Sequence, residues 1–331
     1  KTVWWSCAPM TENIPQGGGN KISFLRYKKV QALRQDNTDE FTAQQMFLSA
    51  ETIEAQLHER DGYLQFSRYS SLVARNSILE QAAQKMHETA AHTVDKLVRN
   101  DIGFAVANKA IYSANMWEQL EIDGGSVSSK GKTARLWTHR NDGFPMYHNK
   151  TRVAQSSLVV DLASSAMTMK TLQAGVGVLT GNDVPTLSDG NYKLITNPDV
   201  ATQLTTNSGT KGWFSPTSSD RAMRNSSEVG TIAGVTVVTS NLAYKYPVSG
   251  DTLSTSSGHV YGSLLFGAEA YGTNTIGSQG GRNGYQFYLK QSGNTSTNDP
   301  TDMKKTIGFS VTAVGRVINK SAGLWIVTTE K

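Results

Sequence analysis

The chain of 331 residues has a single cysteine, Cys7, which excludes an intramolecular disulfide and any metal site built from several cysteines. It also has no long apolar run, since stretches such as 324–327 are far shorter than the about 20 residues that span a bilayer. Charged residues make up only 18% of the chain and the net charge is +5. This mild excess suits a surface near nucleic acid but not a dedicated DNA-binding domain. Disulfide-rich, membrane-spanning and strongly basic classes of protein are therefore excluded.

Motifs for catalysis and metal binding are also missing. His87 and His92 resemble the histidine pair of a zincin helix, but their spacing is one residue too long. At about 100° per residue the two imidazoles lie about 140° apart around a helix, so they cannot share a metal. The glycines in 175–181 miss the dinucleotide-binding spacing and are interpreted as flexible joints, and Cys7 has no rigid base beside it. We therefore predict that the protein is not an enzyme, and we assign no catalytic residue, cofactor or metal.

Residues 1–20 have the composition of an extended arm. Trp4 and Trp5 are followed by two prolines and a run of glycines, and the segment is too poor in apolar residues to form its own core. Two tryptophans must be buried against some other surface. We predict that they clamp a neighbouring subunit.

Segment 21–67 carries two adjacent blocks of opposite charge. The acidic block, 36–61, has seven acids and one base and includes Glu51, Glu54 and Glu59. The basic block has no acid and contains Lys21, Arg26, Lys28, Lys29 and Arg34. Alternating apolar residues in both blocks predict a long two-stranded hairpin. Because a lone hairpin is marginal in water, we expect this one, like the arm, to be ordered by other copies of the chain.

A long helix is predicted over 72–102, where apolar residues recur at helical spacing. At 1.5 Å per residue this helix would be about 45 Å long. A second helical stretch is predicted from Leu158, Leu162, Met169 and Leu172.

Further elements complete an α+β pattern. A strand at 192–196 precedes a short helix that begins near Pro198, which suits a first helical turn. A valine-rich strand follows at 231–240, and alternation at 307–313 predicts another strand. A last apolar strand is expected at 324–327. We find no internal repeat.

The order of arm, charged hairpin, long helix and α+β body resembles that of the Hong Kong 97-type coat fold of tailed bacteriophages. Local stretches are similar to the major capsid family named after coliphage N-four, and they lie at 19–27, 192–200, 230–241, 265–272 and 299–319. Residues 105–150 and 273–298 match no pattern in that family. The resemblance supplies no catalytic residue and no crosslinking set.

The resemblance implies an arm at 1–20, an extended loop (E-loop) hairpin at 21–67, a peripheral domain at 68–150 and 266–331 with its spine helix, and an axial domain at 151–265. It implies a major capsid protein that assembles as hexamers and pentamers into an icosahedral shell around double-stranded DNA. The expected location is the virion capsid, after assembly in the bacterial cytoplasm. Portal, scaffold and decoration proteins are possible partners, and no membrane is involved.

On this interpretation the charged hairpin and the two tryptophans form the subunit interface. The basic residues of the hairpin would contact acidic groups on an adjacent copy, and its acidic residues would do the converse. Lys85 and Lys96 on the spine helix are possible contacts for packaged DNA. The alternative is a solvated hairpin without a partner. Two rival functions remain open: a phage tail or surface fibre adhesin, which should show repeated short strands, and a hydrolase with a noncontiguous site.

Overall fold

A computed structural model describes residues 2–13, 20–30, 46–67, 69, 78–103, 133–137, 146–148, 151–152, 158–161, 167–206, 228–248, 258–275, 285–290 and 303–329. The helices in these residues are α1 (Ile78–Ile102), α2 (Met169–Gly181) and α3 (Pro198–Thr206). The strands are β1 (Met10–Glu12), β2 (Lys21–Tyr27), β3 (Ala50–Gln56), β4 (His58–Ser67), β5 (Thr133–Trp137), β6 (Met146–His148), β7 (Thr151–Arg152), β8 (Leu158–Asp161), β9 (Tyr192–Thr196), β10 (Glu228–Ile232), β11 (Val235–Thr239), β12 (Tyr244–Val248), β13 (Gly258–Phe266), β14 (Tyr271–Asn274), β15 (Tyr285–Lys290), β16 (Lys304–Ala313), β17 (Gly315–Val317) and β18 (Gly323–Thr329). The mixed composition confirms the α+β prediction. No described helix is long and apolar enough to cross a membrane.

The largest sheet has the order β10-β11-β9-β13-β18-β6-β7, with β12 also paired to β13. Its central strands β9 and β11 are buried along most of their length, as expected for strands covered on both faces, and Leu194, Val237 and Leu264 are fully buried. The predicted strand at 192–196 and the helix that begins at Pro198 are confirmed as β9 and α3. The predicted last strand is confirmed as β18, in the centre of this sheet.

The long helix α1 packs on a three-stranded sheet of order β15-β16-β4. Met86, Ala90 and Val94 recur every fourth residue and contact the buried face of β16, which includes Phe309 and Val311. The periodicities that predicted this helix and β16 are therefore confirmed, although 72–77 lie outside the described residues. The 25 residues of α1 extend for about 37 Å at 1.5 Å per residue.

A third sheet, of order β1-β14-β17, lies under the hairpin formed by β2 and β3. The strand β4, which the sequence assigns to the hairpin, instead pairs along its whole length with β16. The hairpin strand therefore changes partner at Leu57, whose N–H donates to the Asn20 carbonyl at 2.7 Å. Because apolar and polar residues alternate in the same way in β3 and β4, the sequence alone could not locate this change of partner.

Two predictions for the middle of the chain are wrong. Leu158 lies in strand β8, paired with β5, rather than in a helix, in keeping with the β-branched residues that follow it. The helix begins only at Met169, where the Thr168 side chain accepts the Thr171 N–H at 3.3 Å as an N-cap. Leu162 lies outside the described residues. Likewise, the predicted single strand at 231–240 is a hairpin of β10 and β11, turned at Ala233 and Gly234, which both have positive φ.

The predicted domain boundaries remain a prediction. Strand β18 belongs to the segment 266–331 that was assigned to the peripheral domain, yet it pairs with β13 from the segment assigned to the axial domain.

The glycines of 175–181 lie in helix α2 and are not flexible joints, which corrects the sequence interpretation. Gly175 faces the large sheet, and a Cβ at this position would lie 2.9 Å from Leu265 Cδ2 and 3.3 Å from Ile326 Cδ1. Glycine is therefore favoured here by close packing of the helix against the sheet rather than by backbone freedom.

Gly175→Ala should lower the free energy of unfolding by about 1–3 kcal/mol, because the added methyl overpacks the helix against β13 and β18. Gly177→Ala is the matched control, since among the described residues no atom beyond its own stretch of helix lies within 4 Å of its would-be Cβ. It should raise stability by up to about 1 kcal/mol through helix propensity alone. Urea unfolding of both variants measures the difference, and equal effects at the two positions would contradict the packing.

Candidate assembly interface

The N-terminal residues form a turn on the body of their own chain. Backbone bonds from the Cys7 N–H to the Val3 carbonyl at 3.0 Å and from Ala8 to Trp5 at 3.3 Å close this turn. The Trp4 side chain is completely buried, with its ring centroid 5.8 Å from that of Trp325.

The pocket of Trp4 is made by several elements of the same chain. Tyr244 packs edge-on, 6.5 Å from Trp4 between centroids, and the Tyr271 hydroxyl donates to the Trp4 carbonyl at 2.8 Å. In this conformation Trp4 is buried by its own chain, and the clamp on a neighbouring subunit stays a prediction. Tryptophan burial was correctly expected, but a local sequence pattern does not say which molecule supplies the pocket.

Trp5 is half-buried and also bonds within its own chain. Its indole N–H donates to the Asn274 carbonyl at 2.9 Å, and its backbone N–H donates to Asp95 Oδ1 at 3.1 Å. Asp95 lies on α1 and is fully buried. Burial raises the pKa of this carboxyl, while the N–H groups of Val3, Trp4 and Trp5 act in the opposite direction. The long helix thus holds the N-terminal turn through one buried carboxyl group.

The raised pKa of Asp95 predicts a pH dependence of stability. A folded-state pKa above the unfolded value gives a stabilising contribution that is complete below the unfolded pKa and is lost as the pH rises through the folded pKa. The unfolding free energy of the wild type minus that of Asp95→Asn should therefore fall as the pH is raised from about 4 towards 7. Urea unfolding of both proteins at each pH measures this difference, and a difference that rises with pH would contradict the assignment.

The base of the hairpin also packs on its own body. Ile22, Phe24 and Ala55 share one face of β2 and β3, and they are buried against Val314 and Ile318. A Cβ on Gly272 would lie 2.5 Å from the Phe24 ring, so this glycine makes room for the hairpin. The expectation that the whole of 1–66 depends on other copies for its order is wrong for this part.

Opposite charges on the two strands are paired within the hairpin. Lys21 Nζ lies 2.7 Å from Glu54 Oε2, and Lys28 Nζ lies 3.7 Å from Glu51 Oε2. The bond with Glu54 raises the pKa of Lys21. These pairs are exposed, and such pairs typically contribute about 0–1 kcal/mol. Contacts of the same residues with an adjacent copy stay a prediction.

The remaining predicted interface residues lie in different places. Lys29 extends beyond the hairpin to Asp183, at 2.7 Å between Nζ and Oδ2, and lowers the pKa of that carboxyl. Glu59 lies on β4 rather than on the hairpin and accepts a hydrogen bond from the Ser310 hydroxyl. Arg26 points towards the body from the same face as Phe24, and Arg34 lies outside the described residues.

Two exposed apolar surfaces were not identified from the sequence. The first, here called the distal hairpin patch, is the set of exposed apolar side chains on the outer part of the hairpin: Leu25, Tyr27, Val30, Met46, Phe47 and Leu48. Phe47 is 76% exposed, a large value for an aromatic side chain. The second, the sheet patch, surrounds one end of the β15-β16-β4 sheet and consists of Tyr63, Leu64, Tyr288, Leu289 and Met303. Clusters of this kind on a subunit surface typically mark sites of protein association.

The predicted DNA contacts lie on the outer side of α1. Lys85 and Lys96 are both exposed. They are eleven positions apart, which places them about 20° apart around the helix axis, so they share one face. Lys85 forms an ion pair with Glu88 at 2.7 Å, which lowers the pKa of Glu88 and offsets one of the two positive charges. A role in DNA contact stays a prediction.

No family model matches the sequence, and no curated protein is similar to it in sequence. Solved structures are similar in fold. A chain from the capsid of Ralstonia phage GP4 is 14% identical, with a TM-score of 0.65, and the match covers 95% of this chain and 84% of that one. A chain from the acidic stable capsid of Helicobacter pylori bacteriophage KHP30 is 10% identical, with a TM-score of 0.56, over 100% and 92% of the two chains.

A chain from the holo-SrpI encapsulin complex of Synechococcus elongatus is also similar, at 9% identity and a TM-score of 0.50, over 97% of this chain and 85% of that one. The chain therefore has the Hong Kong 97-type fold of phage capsid chains, as the sequence predicted. The narrower resemblance to the N-four family stays a prediction.

Proposed function

We propose that this chain is the major capsid protein of a tailed bacteriophage and assembles with itself into an icosahedral shell. The observation that carries the proposal is the match to the Ralstonia phage capsid chain, which extends over 95% of this chain. A match over this much of the chain is not limited to one shared domain. The proposed role is structural rather than catalytic.

The exposed apolar surfaces support self-assembly. A single subunit leaves Phe47 and Leu48 at the distal hairpin patch 76% and 65% exposed, and it leaves Tyr63 of the sheet patch 72% exposed. Burying such side chains contributes about 25 cal/mol per Å² of apolar area. We propose that the distal hairpin patch of one copy packs on a neighbouring copy, while the hairpin base stays on its own body.

Charge contributes a weaker term in this proposal. Lys21, Lys28 and Lys29 each have an acidic partner in the same chain, at 2.7–3.7 Å. Exchanging these partners for acids of an adjacent copy would alter specificity and orientation more than affinity. We therefore place the apolar patches, and not the charged strands, at the centre of the subunit contact.

Further parts of the proposal follow from the phage capsid likeness. Hexamers and pentamers would form the shell, and double-stranded DNA would be enclosed, with Lys85 and Lys96 as non-specific contacts. Portal, scaffold and decoration proteins would be additional partners, and the location would be the virion after assembly in the host cytoplasm. The rival proposal of a tail or surface fibre is not favoured by the fold.

A paired substitution, Phe47→Ser with Leu48→Ser, tests the proposed contact. We expect the fraction of subunits in shells to fall at least about tenfold at equal protein concentration, because two exposed apolar side chains leave the interface. Sedimentation velocity separates shells from the 35.9 kDa subunit.

Met169→Ser is the matched control, since Met169 is an exposed apolar residue, at 38%, that lies on α2 outside both patches. It should leave the shell fraction within about twofold of the wild type. Failure of the wild type itself to form any large species would refute the proposed function. Shells that survive the paired substitution would refute the hairpin contact alone.

A further inference from the structure

A cleft of about 390 Å³ separates the inner face of the hairpin from β17 and the turn that follows it. One wall is formed by Arg26, Glu51 and Ile53 of β2 and β3. The opposite wall is formed by Arg316, by Lys320 and by the residues between them. The cleft therefore lies at the joint between the hairpin and the body, beside the apolar cluster of Ile318.

The cleft has a positive lining. Among the described residues that line it, Arg26, Arg316 and Lys320 contribute three positive charges and Glu51 contributes one negative charge, which gives these residues a net charge of +2. Glu51 is the direct cross-strand neighbour of Arg26, and its carboxylate also lies 3.7 Å from Lys28 Nζ. This acid is thus shared with a cation on the hairpin, and it offsets only part of the positive charge contributed by the described lining residues.

One donor in the cleft has no acceptor. The Arg26 Nε–H is buried and has no hydrogen-bond partner among the described residues. A buried donor on a charged group is unfavourable when it stays unpaired, and guanidinium donors pair best with the two oxygens of a carboxylate or a phosphate. The unpaired donor, the positive lining and the open volume all favour the same class of ligand.

We propose that this cleft is an oxyanion-binding site, in which Arg26 and Arg316 donate to the oxygens of a phosphate or carboxylate group and Lys320 adds a further positive charge. A bound oxyanion would join the hairpin to the turn after β17 and so fix the angle of the hairpin on the body. The same chemistry has two possible sources, a free inorganic anion or a carboxylate of a second copy of the chain. The site is argued from the single chain and does not require that shells form.

Titration of the full-length protein with inorganic phosphate, at constant ionic strength with chloride as the reference anion, tests this proposal. Calorimetry should show saturable binding by the wild type. Arg26→Gln should weaken phosphate binding about tenfold or more, because a charge-assisted donor is lost. Glu51→Gln should strengthen it about fivefold, because the one acid among the described lining residues becomes neutral.

Lys21→Gln is the matched control, since Lys21 lies on the same strand but on its exposed, opposite face. It should leave phosphate binding within about twofold of the wild type, as expected for a distant solvated charge. Arg26→Gln and Glu51→Gln are expected to change phosphate affinity in opposite directions. Glu51→Gln keeps the side-chain volume, so it still tests the proposal if Arg26→Gln fails to fold. Absence of saturable phosphate binding, or equal binding by all variants, would overturn the proposal.

The source of the anion follows from the state of assembly. Binding that persists in assembled particles assigns the cleft to a free anion. Binding that occurs in separated subunits and is lost in particles assigns it to a carboxylate of a second copy. If no particles form, the proposed function fails while phosphate binding by the subunit still tests the cleft.

Discussion

Replacement of residues 28–49 by an Asn-Gly turn is expected to give a folded subunit that forms no closed shell. Tyr27 and Ala50 are direct cross-strand partners, and a two-residue turn of this type matches the twist of the strands it joins. The buried face of the hairpin, with Phe24 against Ile318, would be retained. Most of the distal hairpin patch would be removed, and with it the apolar area that we assign to the subunit contact.

The structure determines which residues can be replaced without unfolding the subunit. A longer deletion, of residues 24–60, would remove Phe24 from its cluster and the first residues of β4 from the sheet with β16. Such a variant would lose shells because it was misfolded. The shorter replacement separates loss of the subunit contact from misfolding of the subunit.

Circular dichroism and sedimentation velocity of the replaced protein check the prediction. The melting temperature should stay within about 2–4 °C of the wild-type subunit, equivalent to a loss of no more than about 1 kcal/mol. The shell fraction should fall below detection. Shells of normal size and yield would show that the distal hairpin makes no essential contact.

Trp4→Ala is expected to lower the free energy of unfolding by about 3–5 kcal/mol, as is usual when a large aromatic side chain is removed from a core. Trp4 is completely buried between Tyr244 and Trp325, and its carbonyl accepts the Tyr271 hydroxyl. The cavity left behind would open the junction between the N-terminal turn and the large sheet. A loss of this size is a large part of the about 5–15 kcal/mol that stabilises a typical domain.

Urea unfolding of separated subunits measures this loss, and Trp5→Ala provides the comparison within the same turn. Trp5 is only half-buried, although its indole N–H is bonded to Asn274, so its removal should lower stability by about 1–2 kcal/mol. A change below about 1 kcal/mol for Trp4→Ala would indicate that the N-terminal turn leaves its pocket in solution.

Hydrophobic periodicity located the elements with one buried face, whereas short apolar runs located the interior strands β9 and β18. In α1 the recurrence of Met86, Ala90 and Val94 at four-residue intervals follows from packing on a single sheet, and in β16 the alternation of Phe309 and Val311 follows from packing on that helix. Periodicity failed where packing is two-sided or unusually close. Gly175 is such a position, because its lack of a side chain reflects contact with Leu265 rather than a break in the helix.

The candidate interface was only partly predictable for a related reason. The charged residues of the hairpin stand out in the sequence, but their partners depend on register: Lys21 faces Glu54 across the strands, whereas Arg26 faces the cleft beside Arg316. The burial of Trp4 could be anticipated, although its pocket between Tyr244 and Trp325 joins residues more than two hundred positions away. Exposure of Phe47 and Tyr63 is a tertiary property that no local pattern contains.

Electron microscopy of the purified full-length chain tests the central claim most directly. If copies of this chain form a shell, the images should show closed particles of uniform diameter, and a reconstruction should show hexamers and pentamers with each distal hairpin patch covered by a neighbour. Separate subunits or elongated rods at every concentration and salt condition would contradict the account.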